Sequence, residues 1–496
     1  MATTHSIFFL ASEIAPFAKT GGLADVAGAL PKALKELGHE IRLFMPKYRC
    51  INERKFVLRE VIRLKDLEIP LGSRKVRVNI KSSFIPNTKV QVYFLDCKPY
   101  FDRNELYVDP TTKTDYKDND ERFILFARTA LEMLKLLHWQ PDIVHCNDWQ
   151  TGLIPLYLKT LYNDDQVLGN VKTLVTIHNI GYQGNFDKSA VSKANLPESL
   201  FYPMSPLEFY GKFSFLKAGL EYTDKINTVS PTYATEIQSG SEYGHGMEGI
   251  LRRRHEDLHG ILNGVDYSEW SPDVDKYIPF QYNSTQLDKK LENKKALLQE
   301  CNLMFDEHIP LIGSISRLAD QKGFDLIAEI IDQMMGLNFQ YVLLGTGDQK
   351  YHQLFTKMAK KYPQKISVHL KFDNRLAHLI EAGSDMFLMP SKYEPCGLNQ
   401  LYSLHYGTIP IVRATGGLAD TVVDFSPQAE TGTGFVFKNY NSSELLQAIQ
   451  RAIETFADSS IWTKLVHTAM KQDFSWKNSA NEYTKLYTLL LKGKKG

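Results

Sequence analysis

The chain has 496 residues and few cysteines, only Cys50, Cys97, Cys146, Cys301 and Cys396. They are odd in number and widely spaced, and no two form a C-x-x-C pair. A disulfide framework and a structural zinc pattern are therefore excluded, and a reducing cytosol is expected. The sequence also lacks any run of about 18 or more apolar residues, so no transmembrane helix and no membrane partner are expected. The amino terminus, MATTHSIFFLASEIAPF, lacks the basic start of a secretion signal. Its short apolar run reads as a buried first strand, which fits a cytoplasmic protein. An excess of one charge is missing too: Lys and Arg number 58 and Asp and Glu 57. With a net charge of +1 there is no global basic field, and nucleic acid is not an expected partner. What is present is ordinary globular composition, 43% hydrophobic and 23% charged, which rules out disordered and fibrous classes. At about 150 residues per domain the length allows roughly three domains, and two large α/β lobes fit as well.

Along the chain, short apolar strands alternate with helices. Strands are expected at Ser6 to Ser12, Glu40 to Met45, Lys89 to Leu95, Asp142 to Cys146, Val171 to Ile177, Lys225 to Val229 and Gly260 to Asn263. Helices are expected at Leu23 to Leu37, stopped by Gly38, and at Arg122 to Leu137. A less regular stretch follows from Val265 to about Glu300. The alternation then restarts with strands at Pro310 to Ser316, Gln340 to Leu344, Lys365 to Leu370, Asp385 to Met389 and Ile409 to Arg413, and a helix at Phe324 to Met335. Trp476 to Leu491 reads as a last helix. Apolar strands spaced by helices imply parallel sheets covered on both faces. The expected organisation is a first lobe at 1–264, a link at 265–307, a second lobe at 308–473 and a carboxy-terminal helix at 474–496. TGGLAD occurs twice, at Thr20–Asp25 and Thr415–Asp420, each time opening a helix. Two readings stand side by side: local convergence on a good turn, or two related lobes.

In open parallel sheets ligands bind beyond the carboxyl ends of the strands. Polar groups gather there repeatedly, and two such rims facing each other would form a cleft. Lys19 with Gly21 and Gly22 ahead of a helix can face a phosphate with an ammonium and bare N–H groups, or be a plain tight turn. It is neither a Walker loop nor G-x-G-x-x-G. Arg317 and Lys322 in SRLADQKG suit a diphosphate, the first as a planar fork and the second as a point charge; the alternative is a solvated basic loop. Glu394 can cap a helix or hydrogen-bond sugar hydroxyls, and Pro395 favours a helix start. His178, with Asn179, Tyr182 and Gln183, is either a satisfied buried ring or part of a sugar site, and Asp148 and Trp149 add the same polar and aromatic character. Asp273-Val274-Asp275 lies in the irregular stretch and makes no convincing metal site. His255 to His259 matches H-E-x-x-H, the zinc-protease motif. That motif needs both rings on one helical face, and here Gly260 follows at once and three arginines precede it, so the metal site is rejected.

Taken in order, KTGGLADV, NDWQTGL, HNIGYQG, INTVSPTYATEI, GILNGVD, SISRLADQKGFDL, SKYEPCGLNQLYSLHYG and VRATGGLADTV resemble bacterial glycogen synthase and plant starch synthase, glycosyltransferase family 5. The resemblance runs from about Ile7 to Leu490. It implies a GT-B fold, two Rossmann-like lobes whose parallel sheets face each other across a cleft, with the last helix returning to the first lobe. It implies retaining transfer of glucose from ADP-glucose to the non-reducing 4-OH of an α-1,4-glucan, as in glycogen biosynthesis. By motif, Lys19 resembles the donor-sugar and phosphate lysine, and Gly22 the backbone contact to the diphosphate. Arg317 and Lys322 resemble the pair that neutralises the leaving diphosphate. Glu394 resembles the carboxylate at the transferred glucose, with Cys396, Gly397 and Leu398 beside it, and His178 the histidine beside the anomeric centre. Asp25, Asn263 and Gln321 are placed with the donor contacts. Phe372 stands where the family usually stacks an aromatic on adenine, commonly a tyrosine. Glu13, Asp148, Trp149 and Asn179 resemble acceptor-side residues. The family needs no metal and no cofactor beyond the nucleotide sugar.

Retaining glycosidases use two carboxylates about 5–5.5 Å apart, and no such nucleophile stands out. The resemblance implies same-face attack of the acceptor hydroxyl as the diphosphate leaves, with a phosphate oxygen taking the proton. Positioning and charge stabilisation would then carry the rate. UDP-glucose as donor and a silent glucan-binding protein on the same scaffold remain open at this level. Cys396 beside Glu394 is either reactive or merely packed.

Overall fold

In the computed structural model, which describes residues 4–492, the chain divides into two compact units. The first comprises the chain up to Val229, Ala234–Gly264 and the segment from Trp476 on. The second comprises Ser230–Tyr233 and Val265–Ser475.

The first unit is built on a ten-stranded sheet. Its strands run in the order Leu258–Gly260, Lys225–Thr228, Lys172–Ile177, Ile143–Asn147, Ser6–Leu10, Glu40–Pro46, Gln91–Asp96, Arg74–Phe84, Arg59–Glu60, and Leu67–Leu71 also pairs with Arg74–Phe84. Leu258–Gly260 through Gln91–Asp96 are parallel; pairing with and beyond Arg74–Phe84 is antiparallel. The strand order turns back on itself between Ser6–Leu10 and Ile143–Asn147, which makes their carboxyl ends the topological switch point. The helix Gly22–Glu36 buries Leu23, Val26, Ala27, Leu30 and Leu34, an i, i+3, i+4, i+7 stripe. It ends at Gly38, whose φ of +95° lets the chain reverse, with the Gly38 and His39 amides bonded back to Lys35 and Leu34.

The last helix, Trp476–Lys492, belongs to this unit. It presents polar tips to a polar seam in the sheet. His145 Nδ1 is 2.8 Å from the Tyr487 hydroxyl, and its Nε2 is 2.7 Å from the Thr176 hydroxyl. Asn227 donates to the Tyr483 hydroxyl at 2.9 Å. His5 and His39 meet Thr488 and Thr484, and Ser479 donates to the Leu262 carbonyl. These hydrogen bonds satisfy groups that could not otherwise be buried cheaply.

The second unit carries a six-stranded parallel sheet in the order Ile366–His369, Gln340–Leu344, Leu311–Ile315, Met386–Met389, Ile409–Arg413, Phe435–Phe437. Its switch point lies between Leu311–Ile315 and Met386–Met389. The stretch 265–307, expected as a link, belongs to this unit. Its helix Leu287–Glu300 packs on Asn374–Gly383. Trp270 lies stacked between His378 and Tyr402 at 3.7 and 4.1 Å. Asp275 accepts from Tyr406 and lies 2.8 Å from His378 Nδ1, so the second aspartate of the Asp-x-Asp is a buried structural anchor, while Asp273 is exposed. Ser230–Tyr233 joins the same unit through Asp420, which accepts from the Ser230 and Thr232 hydroxyls at 2.6 Å each.

Several expected boundaries shift. The first strand stops at Leu10, short of Ser12. The strand expected at Gly260 to Asn263 is Leu258–Gly260, because its partner Lys225–Thr228 offers only four residues before the chain turns into the helix Pro231–Ser239. His255–Asp257 is a single 3-10 turn and His259 sits on the strand, so the two histidines share no helical face.

His145 is buried and its pKa is pushed down to about 3, mainly by loss of hydration. In the unfolded chain the ring takes a proton near 6.5. Stability is therefore lost as the pH falls from 6.5 toward 3, since only the unfolded state binds the proton there. Measured between about pH 7 and 4.5, the slope of Tm against pH should be shallower in His145→Gln than in the parent. Equal slopes would count against this ring as an acid-sensitive point.

Candidate active site

At the first unit's switch point, Glu13 follows the strand Ser6–Leu10 and is only 4% exposed. Its carboxylate accepts from the Thr20 amide, the Thr20 hydroxyl at 2.6 Å and the Gly21 amide at 3.2 Å. Tyr107 donates its hydroxyl to the same group, 2.8 Å from Glu13 Oε1 and 2.7 Å from Ser12. Glu13 thus fixes the loop that carries Lys19 and opens the helix at Gly22. Lys19 itself is half exposed and pairs with Asp25 at 2.7 Å. Burial raises the Asp25 carboxyl, and Lys19 opposes that rise. Tyr107 was not among the residues singled out from sequence; it sits in the irregular stretch between Phe101 and Asn119 and no motif marks it.

The neighbouring strand Ile143–Asn147 ends in Asn147 and Asp148. Asn147 donates to the Leu10 carbonyl at 2.8 Å, and its Oδ1 lies 2.9 Å from His178 Nε2. With Asn147 Oδ1 as acceptor, His178 carries its proton on Nε2 and keeps Nδ1 as an acceptor. Burial pushes the His178 pKa down to about 3, so the ring is neutral at physiological pH. Asp148 holds a φ of +56°, a strained left-handed conformation for a residue with a side chain. Its carboxylate accepts from the His178 amide at 2.8 Å and from the Asn179 amide. Burial raises its pKa to about 7 despite those bonds. Asn179 turns inward on its own loop, accepting from the Gly181 amide at 3.0 Å.

Trp149 is expected on the acceptor side. It is 8% exposed and packs among Phe123, Phe186 and Phe215. The turn after Asp148 directs the indole under Gly184, where a Cβ would lie 2.4 Å from the ring. Asn263 is also buried, and its side-chain oxygen has no hydrogen-bond partner among the described residues.

The second unit's switch point brings together Lys322 and Glu394, 72 positions apart. Lys322 Nζ is 2.6 Å from Glu394 Oε2, and Ser391 donates to the same oxygen at 3.0 Å. Lys322 ends a 3-10 turn closed by Gly323 at φ +77°. A Cβ on Gly323 would lie 2.0 Å from the Pro390 carbonyl, so only glycine lets the two loops touch. Arg317 is exposed on the same rim and donates to Gln321 at 3.2 Å. Phe372 follows the strand Ile366–His369 and is 88% exposed, leaving its ring faces open.

The loop Glu394–Leu398 rests on the second TGGLAD copy. Gly417 donates to the Glu394 carbonyl at 3.1 Å, and a Cβ on Gly416 would lie 1.9 Å from that oxygen. Cys396 is buried, its carbonyl accepts from Gln400, and no disulfide joins any of the five cysteines. Gly397 takes φ +70° ahead of Leu398. The two TGGLAD copies follow non-equivalent strands. The first follows the strand at its unit's switch point, whereas the second follows Ile409–Arg413, one strand farther out. The positional counterpart of the first copy is RLADQKG. This favours local convergence over ancestry for the echo. No group of three or more His, Cys, Asp or Glu among the described residues could hold a metal ion.

Residues 6–253 match the family model described as starch synthase catalytic domain, and residues 302–461 match glycosyl transferases group 1. A glycogen synthase of Thermosipho africanus is 48% identical over 97% of this chain and 98% of its own length. The chain belongs to the starch and glycogen synthase family. A second member of that family, the glycogen synthase of Thermotoga maritima, is 46% identical over 97% of this chain and 98% of its own length. The catalytic domain of starch synthase IV from Arabidopsis thaliana, solved bound to ADP and acarbose, superposes with a TM-score of 0.89 at 33% identity, covering 99% of this chain and all of that one. Sucrose-phosphate synthase from Thermosynechococcus elongatus, at TM-score 0.58 and 17% identity, shares the fold alone. Like other family members the chain is a hexosyltransferase of GT-B architecture, with one α/β unit on a mainly parallel sheet and the other on a wholly parallel one.

Gly416→Ala should push the Glu394 backbone out of place while leaving every side chain at the rim present. The expected cost is about 1–3 kcal/mol of stability and at least about a tenfold fall in kcat, the scale of about 1.4 kcal/mol in the barrier. Steady-state kinetics on the folded variant check this, and unchanged kcat would show that the loop contact does not position Glu394.

Proposed function

We propose that this chain extends an α-1,4-glucan by transferring glucose from ADP-glucose to the non-reducing 4-OH with retention of anomeric configuration. In this reading the second unit takes the nucleotide sugar and the first takes the growing glucan. The observation that carries it is the meeting of Lys322 and Glu394 at a strand-end switch point, with Arg317 on the same rim. Cleaving the glycosyl–phosphate bond builds negative charge on the departing diphosphate. Two cations are suited to receive it, Lys322 held at Glu394 and the exposed Arg317, whose guanidinium can act as a bidentate donor. Glu394, with Ser391 and Lys322 already on one oxygen, is oriented so that its other oxygen can hold sugar hydroxyls. Phe372 offers an open aromatic face for adenine.

On the first unit, the reading assigns Lys19 and the backbone at Gly22 to the phosphates and the transferred sugar. Neutral His178 positions the glucose through an unprotonated nitrogen and adds no positive charge beside an anomeric carbon that is itself becoming cationic. Asp148 holds the His178 and Asn179 backbone in place, and Glu13 does the same for the Lys19 loop. The acceptor hydroxyl attacks from the face the diphosphate leaves, and its proton passes to a phosphate oxygen. The bond from the anomeric carbon to the phosphate oxygen breaks as the bond to O4 forms. No protein base is assigned, so the rate rests on positioning and charge. The reading uses no cofactor beyond the nucleotide sugar, and it places the protein in the cytoplasm, where thiols without disulfides persist.

Labelled glucose offered as ADP-glucose and as UDP-glucose, side by side with EDTA and glycogen, tests this directly. Incorporation from ADP-glucose in EDTA, faster than from UDP-glucose, is expected. Lys322→Ala or Arg317→Ala should lower kcat by about 10²–10³, the range for losing one transition-state charge contact, without weakening retention on glycogen. Parent-level turnover in both variants, or no incorporation from either donor with glycogen binding intact, overturns the assignment.

A further inference from the structure

Beside the His178 loop the first unit exposes large side chains on a stiff frame. Glu208–Phe209 and Lys212–Ser214 form a hairpin that pairs with Asn185–Phe186, the strand continuing the HNIGYQG loop. Around it Tyr202 is 56%, Met204 90% and Tyr210 82% exposed. Exposing such groups costs free energy, and a loop free to fold them away would do so. This one is held open. Lys217, buried, donates to the Ser205 carbonyl at 2.9 Å and to the Glu208 carbonyl at 2.5 Å. Glu208 in turn accepts from the Gly211 amide at 2.6 Å and the Met204 amide at 2.9 Å. Three bulky residues here hold left-handed backbone, Met204 at φ +65° and Tyr210 and His245 at +48°. Strain of this kind persists where surrounding structure enforces it, and it gathers at functional surfaces.

The patch is continuous with the site. The ring of His245 lies against Gly181, two residues past Asn179, and Gln183 donates to the His245 carbonyl at 3.0 Å. The next residue, Gly246, lies against Phe209 and Tyr210, where a Cβ would come within 2.9 and 3.2 Å. The nearby charges Lys212 and Asp187 neutralise each other. A surface of exposed rings and a thioether, without excess charge, suits a neutral polymer whose sugar C–H faces stack on aromatics.

We propose that the hairpin, through Tyr210 and Tyr202, is an accessory docking platform for the glucan chain behind the sugar that accepts glucose. This rests on the α-glucan reading above. The platform would hold a polymer near the site between successive additions and matter little for an acceptor too short to reach it.

The test pairs Tyr210→Ala and Tyr202→Ala in the full-length protein with three readouts. Retention on glycogen-containing gels, without donor, should fall. KM for glycogen should rise about tenfold while that for maltotriose moves less than about twofold, with a tenfold change equal to about 1.4 kcal/mol. Sedimentation should show the same mass as the parent. Equal effects on both acceptors or unchanged retention overturn the platform, and a drop in mass assigns the patch to contact between copies instead. Failure of the parent to use either donor sinks the glucosyltransferase reading, whereas loss of the length dependence alone sinks only the platform.

Discussion

A carboxylate buried at the end of a parallel strand needs donors, and meeting that need organises both units. In the first, Glu13 gathers two amides and two hydroxyls and so fixes the loop bearing Lys19. In the second, Glu394 gathers Lys322 and Ser391, and its own backbone is pinned by glycines of another loop. The cost of burying an unpaired carboxylate far exceeds that of ordering a loop. The loops are therefore held at strand ends by the carboxylates they surround. The residues proposed to meet substrate hang on this arrangement, which explains why rim groups can be as exposed as Arg317 and Phe372 while their supports are buried.

The positions of the parallel strands were legible because a strand buried on both faces reads as a short apolar run, as Ser6–Leu10 and Gln340–Leu344 do, whereas their order in the sheet came only from the structure. The antiparallel pair Leu67–Leu71 and Arg74–Phe84 was not legible, since its exposed alternate residues break the apolar signal. The small sheet around Glu208–Phe209 escaped for a related reason: strands of two or three residues carry no period. Phe435–Phe437 was lost in the same way. Lys19, His178, Lys322 and Glu394 stood out in the sequence because motif and strand end coincide there. A residue's role was illegible where the direction of its side chain decides it. Nothing in the letters of NDWQTGL says that the Asp148 turn sends Trp149 inward under Gly184. Nor does any motif mark Tyr107, which matters only because it reaches Glu13 from about ninety residues away.

The stretch 265–307 shows the same limit from another side. Its irregular pattern and prolines read as a link between lobes, yet Trp270, Asp275 and Tyr282 are bound into the second unit by stacking and by hydrogen bonds to His378 and Tyr406. Polar residues that look like linker composition are there because the burial they enter is itself polar. Burial makes the Glu381 carboxyl hold its proton up to about 8 and lowers Lys290 to about 7.

The carboxy-terminal helix sets an order on the making of the protein. The ribosome releases the sheet of the first unit early, with the polar faces of His145, Thr176 and Asn227 still bare. The tyrosines that cap them lie in the last turns of the chain. The second unit needs only Ser230–Tyr233 and the continuous run to Ser475, all of it emerging before those tyrosines. The half begun first is thus completed last. A nascent chain that has reached Ser475 and no farther holds every residue of the second unit, while the polar seam of the first still lacks the helix that covers it.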